Sequence, residues 1–280
     1  AIGGDGGARI AAADVTTSAT ATDAQPYALT VDSGRRSAVR ALGAAGQFSG
    51  STTIGGTLVV SDLLGTTEAS VDDGSDLDTD ALAVRASDGG DELSGLWTLA
   101  GNFGASGSNA IGGAFSVNTI SRSQTAAIDD SAVTATGGVT VASDAIANIR
   151  TIAVAGGASG SVAASGSLTV NTLLGDESAR VRGSTIDTGG LDVTATGSRS
   201  IWSLAGSVSA SGSTAVGFAG AVNTIKGTHE ALVETSIVDD SSDPDERAGT
   251  VTVATGGDAG GTSRIASLAV AGTASGSTSV

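Results

Sequence analysis

A series of five Ser-Gly-Ser tripeptides recurs along this 280-residue chain at separations of 57, 53, 52 and 64 residues. They begin at Ser49, Ser106, Ser159, Ser211 and Ser275. Self-similarity at a period near 50 residues is typical of solenoids, propellers and tandem arrays, in which each repeat is one structural unit. The spacing predicts a single repeat array over 1–280, with approximate units at 1–48, 49–105, 106–158, 159–210 and 211–274, and the start of the next unit at 275–280.

Some distances within a unit are constant and others vary. Eleven residues after the first four tripeptides the chain reaches Val60, Val117, Val170 and Val222, and eleven residues further it reaches Val71, Ile128, Val181 and Val233. Both prolines, Pro26 and Pro244, fall in the segment whose length varies most. Since proline lacks an amide donor and is excluded from paired strands, we expect that segment to be a loop outside the sheet.

The constant segments are typical of β-strands. They are rich in Val and Thr, the chain has 43 glycines, and no stretch has sustained helical apolar spacing. Units of about 53 residues with no cysteine and 2% aromatic residues could hardly close separate sandwich cores. We therefore predict an all-β parallel β-solenoid (β-helix) built from tandem repeats of about 53 residues. The sequence leaves open whether one unit makes one large coil or two small ones.

Composition restricts the partners. The formal net charge is −16 and the 13 Lys and Arg residues are scattered, so we expect no nucleic-acid binding. No apolar run approaches the roughly 20 residues of a membrane-spanning helix, so we also expect no membrane insertion. The chain has no methionine, even at position 1, and the tripeptide at Ser275 opens a new unit. We expect a window from a longer chain, in which the lack of a targeting signal says nothing about export.

One pattern resembles a known family. A small-residue strand closing in V-N-T-I/L is followed by A-x-V, S-x-V and G-x-V-T-V-x-A, or close variants of these. Residues 114–142 show this pattern, and residues 221–254 show much of it again. It is similar to the β-strand repeats of large bacterial surface adhesins and exoproteins, such as autotransporter passengers and filamentous-haemagglutinin-like proteins. The resemblance implies an extracellular, cell-surface location and an elongated stalk or fibre. It also implies self-association into fibres or lateral assemblies, and a host-cell, matrix or polysaccharide receptor.

Two acidic loops are candidates for calcium, which prefers carboxylate oxygens. The candidate ligands are Asp73, Asp76, Asp78 and Asp80 in one loop and Asp240, Asp243 and Asp245 in the other. Neither loop has EF-hand spacing, and we favour solvated charges that discourage edge pairing. The segment from Gly3 to Gly7 is similar to a calcium-binding nonapeptide but occurs once. No other cofactor and no catalytic residue is predicted.

Three further features have a structural interpretation. His229 is the only histidine, so a Ser-His-Asp triad would need it, but its neighbours indicate an exposed turn. Asn118, Asn171 and Asn223 share one register, and we expect a hydrogen-bonded ladder at a corner of the coil. For Trp97 and Trp202 we favour packing over sugar binding.

Three classes of function remain. We expect a structural or adhesive extracellular array and not an enzyme. The first alternative is a carbohydrate-active β-helix enzyme, which would need convergent Asp, Arg, Lys or His side chains on one face. The second is an ice- or surface-binding solenoid, for which Thr134-Ala135-Thr136 and Thr194-Ala195-Thr196 offer short rows of threonine.

Overall fold

The computed structural model describes residues 2–3, 5–17, 28–89, 95–239, 249–256 and 263–280. These residues form eighteen strands: β1 Ile2–Gly3, β2 Gly6–Ala11, β3 Asp14–Thr16, β4 Ala28–Arg35, β5 Ala38–Ser49, β6 Thr52–Asp72, β7 Asp76–Thr79, β8 Ala81–Asp88, β9 Gly95–Ser106, β10 Asn109–Asp129, β11 Ala132–Ser159, β12 Val162–Arg182, β13 Thr185–Ser211, β14 Thr214–Glu234, β15 Ile237–Asp239, β16 Thr250–Thr255, β17 Ser263–Ser275 and β18 Thr278–Ser279. The described residues contain no helix.

The strands form two parallel sheets. Sheet A has seven strands among the described residues and contains β6, β10, β12 and β14; sheet B has eleven and contains β9, β11 and β13. Each strand pairs with its equivalent in the next repeat, as when Val117 pairs with Val60 on one side and Val170 on the other. The predicted all-β parallel β-solenoid is confirmed.

One repeat makes one coil. The chain runs along sheet A in β10, turns at Asp130 and Ser131, returns along sheet B in β11, and turns again at the tripeptide that begins at Ser159. Each unit therefore consists mainly of two long strands, such as β10 with 21 residues and β11 with 28 residues. At about 3.3 Å per residue such strands are roughly 70–90 Å long, whereas five coils rise only about 24 Å. We call the two edges of this flat solenoid the SGS edge and the opposite edge.

Two glycine pairs lie in segments whose composition is typical of turns, yet neither pair forms a turn. Thr136-Gly137-Gly138 and Thr188-Gly189-Gly190 have turn composition, but both lie inside long strands. The register between β11 and β13 shifts by one residue between Ala135 and Gly138. Glycine here accommodates a bulge in one strand and does not end it.

Large apolar side chains fill the interior beside the opposite edge. Ile128, Val133, Val139 and Val141 belong to a buried aliphatic cluster that continues through the equivalent residues of neighbouring coils. A second cluster, around Ile120 and Ile149, lies nearer the middle of the strands. A third cluster, built largely of alanine, lies towards the SGS edge. The two sheets therefore approach each other over smaller side chains at the SGS edge.

The opposite edge turns through a recurrent left-handed residue. Asp73, Asp130, Gly183 and Thr235 occupy this position in successive coils, with φ of 58°, 48°, 62° and 52°. Only glycine adopts this conformation without strain from Cβ. At Gly183 an added Cβ would also lie 2.2 Å from Oδ1 of Asp130.

We predict that Gly183→Ala lowers the free energy of unfolding by about 1–2 kcal/mol, because it adds left-handed strain and a clash with the preceding coil. Gly50→Ala is the matched control, since its Cβ would meet nothing within 4 Å. Urea denaturation of both variants checks the prediction. An equal loss of stability in the two variants would contradict it.

Candidate interaction surface and interior polar clusters

Polar side chains form ladders inside the solenoid. Asn118 Nδ2 donates to Asn171 Oδ1 at 2.8 Å, and Asn171 Nδ2 donates to Asn223 Oδ1 at 2.7 Å. This confirms the predicted asparagine ladder, but it lies in the middle of the strands of sheet A and not at a corner. Thr151 on sheet B accepts from Asn118 at 3.2 Å and donates to Ser116 at 3.1 Å. The ladder thus links the two sheets as well as the coils.

A second polar cluster contains charged groups. Arg122 Nη1 donates to Asp88 Oδ1 at 2.7 Å, and Gln124 Nε2 donates to Asp88 Oδ2 at 3.3 Å. All three side chains are buried. Since a buried ion is costly unless it is paired and hydrogen-bonded, each of these groups depends on its partner in the facing sheet.

The neighbouring coil carries a different ionic cluster. Arg199 pairs with Glu177 and donates to the carbonyl oxygen of Gly175 at 2.7 Å. His229 Nδ1 lies 2.8 Å from Glu177 Oε2, and Arg199 Nη1 lies 3.2 Å from His229 Nε2. A guanidinium can only donate, so Nε2 of the neutral imidazole accepts from Arg199 and the ring proton is on Nδ1. Nδ1 lies close to the Glu177 carboxylate without forming a hydrogen bond to it.

His229 therefore lies within strand β14 and is half-buried, so the prediction of an exposed turn is wrong. Its ring lies between Arg199 and Glu177. The physical reason is the space that glycine leaves. A Cβ at Gly197 would lie 2.4 Å from His229 Cε1, and a Cβ at Gly227 would lie 2.7 Å from Arg199 Cζ.

Burial changes the acidity of these groups. It raises the pKa of Glu177 to about 7, even though the Arg199 guanidinium favours the charged carboxylate. It lowers the pKa of His229 below its usual value, and the nearby Arg199 adds to this effect. Burial also raises the pKa of Asp88 and lowers the pKa of Arg122.

We predict that the chain becomes less stable between pH 5 and pH 8. Between the ordinary glutamate pKa of 4.5 and about 7, the folded state keeps a proton on Glu177 that the unfolded state releases, so stability falls as pH rises. The pKa of His229 is lowered in the folded state, so below pH 6.5 this residue makes the stability rise with pH. It therefore partly offsets the loss of stability caused by Glu177.

Urea midpoints at pH 5, 6, 6.5, 7 and 8 measure this slope. Glu177→Gln should reduce the change by roughly 1–3 kcal/mol, although its overall stability also falls because Arg199 loses its partner. Glu68→Gln, at an exposed position of the same sheet, should keep the wild-type slope. A wild-type midpoint that rises from pH 6.5 to pH 8 would exclude this role of Glu177.

The proposed calcium ligands are spread out. Asp73 lies at the turn after β6 and contacts Arg9, while Asp76 and Asp78 occupy exposed positions of β7, and Thr136 donates to Asp80 at 3.4 Å. Asp240, Asp243 and Asp245 lie outside the described residues, as do Pro26, Pro244 and Gly4. Within the described ranges, no group of three or more His, Cys, Asp or Glu side chains could hold a metal ion.

The outer surface of sheet B beside the SGS edge is apolar. Five columns of outward-facing residues cover it, each taking one residue from each of five coils. Written from the centre of the sheet towards the SGS edge, the columns are Arg40-Trp97-Arg150-Trp202-Ala266, Leu42-Leu99-Ile152-Leu204-Leu268, Ala44-Gly101-Val154-Gly206-Val270, Gly46-Phe103-Gly156-Val208-Gly272 and Phe48-Ala105-Ala158-Ala210-Ala274. We call this surface the apolar face of sheet B. The only charged side chains on this face are Arg40 and Arg150, and both belong to the column nearest the centre of the sheet.

The two tryptophans belong to this face. Trp97 is 42% exposed and Trp202 is 44% exposed, so both lie on the outer surface of sheet B and not in the interior. The register alternates them with Arg40 and Arg150 along one column.

Glycine and bulky residues alternate in two neighbouring columns of the face. In one column Val154 lies between Gly101 and Gly206, and in the next Gly156 lies between Phe103 and Val208. The Phe103 ring reaches over Gly156, where a Cβ would lie 2.7 Å from Phe103 Cδ2. These two columns therefore form a checkerboard of raised and recessed positions, in which the Phe103 ring covers the recess at Gly156.

Sheet A has a smaller apolar area at the same edge. Its outward columns there begin with Ile54, Gly56, Leu58 and Val60 in β6. The next outward residue is Asp62, which is followed in the later coils by Thr119, Thr172 and Thr224. Both outer surfaces beside the SGS edge are therefore apolar, but the area on sheet A is narrower.

Comparison with known proteins gave no match to any family model, to any curated protein or to any solved structure. In the part of the chain that the structure describes, no helix is long and apolar enough to cross a membrane.

Proposed function

We propose that the chain is a structural and adhesive segment of an extracellular stalk or fibre on a bacterial surface. The observation that supports this most directly is the one-to-one relation between repeat and coil. Each repeat adds one rung to both sheets, in register with its neighbours. A chain built in this way lengthens by adding repeats, which suits a stalk.

Other observations are consistent with a scaffold. The side chains capable of acid–base chemistry that lie inside are paired with one another, as Glu177 is with Arg199 and Asp88 is with Arg122. The exposed carboxylates of Asp76 and Asp78 lie along one strand. The resemblance to bacterial adhesin repeats, stated above, suggests the extracellular location and a polysaccharide, matrix or host-cell receptor.

The alternatives have less support. A polysaccharide-cleaving enzyme would need convergent acidic and basic groups that are free to act on an open face. Outer charged side chains of sheet A are instead paired with one another, as Arg9 is with Asp72 and Arg180 is with Asp129. An ice-binding face needs regular rows of threonine, but Thr134 shares its column with Asp78 and Asp187.

Inserting one additional coil tests the repeating scaffold. A second copy of residues 109–161 placed after Ser161 keeps the register, because Asn109 and Val162 are equivalent. We expect the longer chain to fold cooperatively, to keep its β-sheet circular dichroism and to unfold at the same or a higher temperature. The same 53 residues inserted in reversed order are the control and should disrupt the stack.

Turnover and adhesion assays test the function. We expect no release of reducing ends from polyuronides, no effect on ice growth, and retention of chain-coated beads on matrix or polysaccharide surfaces above the level of albumin-coated beads. Release of sugar products would overturn the scaffold proposal in favour of an enzyme. Inhibition of ice growth would favour an ice-binding solenoid. Bead retention no higher than that of albumin-coated beads would contradict the adhesive part of the proposed function.

A further inference from the structure

We propose that the apolar face of sheet B is a docking surface for a second copy of this chain. The proposal rests on the structural function proposed above and gives its lateral assembly a specific interface. It concerns face-to-face packing of two solenoids, in which each copy presents the same surface.

The exposure of the face requires an explanation. Val154 is 43% exposed and Val208 is 62% exposed, and Leu42, Phe48, Leu268 and Val270 are also among the exposed large apolar residues. Single exposed apolar side chains are ordinary, but a contiguous patch above a few hundred Å² marks an interaction site. The interior behind this patch is already filled by small and polar residues such as Ala153, Ala155 and Thr151. These outer side chains therefore have no place in the chain's own core.

The size of the face fits a dimer. It spans nine residues along the strands, from Trp97 to Ala105, and five coils. With about 3.3 Å per residue and about 4.8 Å per coil, its projected area is roughly 700 Å². A standard protein interface buries about 800 Å² on each partner. The apolar area of sheet A, seven residues by four coils, projects to roughly 440 Å², which is too small by the same measure.

The relief of the face fits a rigid partner. Phe103, Val154 and Val208 stand beside glycines in the checkerboard described above, and side chains on two sheets that pack face to face interdigitate about 10 Å apart. A surface with raised and recessed positions in alternation can receive the raised positions of an identical surface. A fluid lipid phase would require apolar surface but no such relief.

The charge distribution favours the same partner. The chain carries a net charge of −16, so two copies repel each other over most of their surfaces. The apolar face carries no acidic side chain, and contact there brings the fewest like charges together. The same net charge opposes adsorption to an anionic membrane.

Sedimentation equilibrium of the 280-residue chain at about 1 to 100 µM tests the proposal, because this range covers weak to moderate association. We expect the wild type to sediment with twice the mass of one chain. The double variant Val154→Lys/Val208→Lys should raise the dimer dissociation constant at least about tenfold, since it buries unpaired charges at the centre of the face. Thr134→Lys/Thr194→Lys adds the same charge on the polar half of sheet B and should stay dimeric.

Circular dichroism must be unchanged in both variants, and a thiol probe covers the case in which a variant fails to fold. The chain has no cysteine, so Val154→Cys and Thr134→Cys each introduce a single thiol. Maleimide labelling should slow with rising protein concentration for Val154→Cys but not for Thr134→Cys.

Three outcomes would overturn the inference. They are a wild type that is monomeric at 100 µM, a dimer that is insensitive to Val154→Lys/Val208→Lys, and a monomer that binds phosphatidylcholine vesicles through this face. None of these outcomes decides the stalk proposal, which depends instead on the turnover, adhesion and coil-insertion experiments.

Discussion

The stacking of each coil on its equivalent is the constraint on which this structure depends. Backbone hydrogen bonds fix every residue beside its counterpart about 4.8 Å away, so each column of side chains shares one environment along the stack. A polar side chain placed inside can find a partner in its own column or on the facing sheet. Asn171 uses its column, and Arg199 uses the facing sheet. Both solutions hold the coils in one register as well as satisfying buried groups.

The same constraint separates two halves of opposite character. Beside the opposite edge, Ile128 and Val141 are buried within an aliphatic cluster, while acidic residues such as Asp76 face outwards. Beside the SGS edge, alanine and hydroxyl side chains fill the interior and Val208 faces outwards. Burial of large apolar side chains, at roughly 25 cal/mol per Å², therefore stabilises mainly one half. The apolar residues of the other half contribute little to folding of the single chain, and their burial requires a partner.

Sequence spacing predicted the register but not the shape of the coil. Residues such as Val60 and Val117 are paired, as their constant distance from the tripeptides indicated. Where the number of residues is the same in every repeat, the hydrogen bonds between strands keep equivalent residues side by side. The number of coils per repeat was not predictable, since strands of 21 to 28 residues are far longer than the usual five or six. The ionic cluster was missed because Glu177 and Arg199 are 22 residues apart in sequence. For the other pair, Asp88 and Arg122, one signal was available in the sequence. Arg122 shares its column with glycines, among them Gly175, which leave room for a long side chain.

The ionic clusters also bear on how a chain of similar coils avoids pairing the wrong ones. Apolar and asparagine columns are nearly interchangeable between repeats, so they specify the register within a coil but not which coil is the neighbour. The Asp88–Arg122 pair and the Glu177–Arg199–His229 cluster each depend on particular neighbouring coils. An exchange of coils would leave a buried charge without its partner, at a cost of about 3–5 kcal/mol. Buried ions contribute little net stability when they are paired, so we infer that their main effect is to specify the order of the stack.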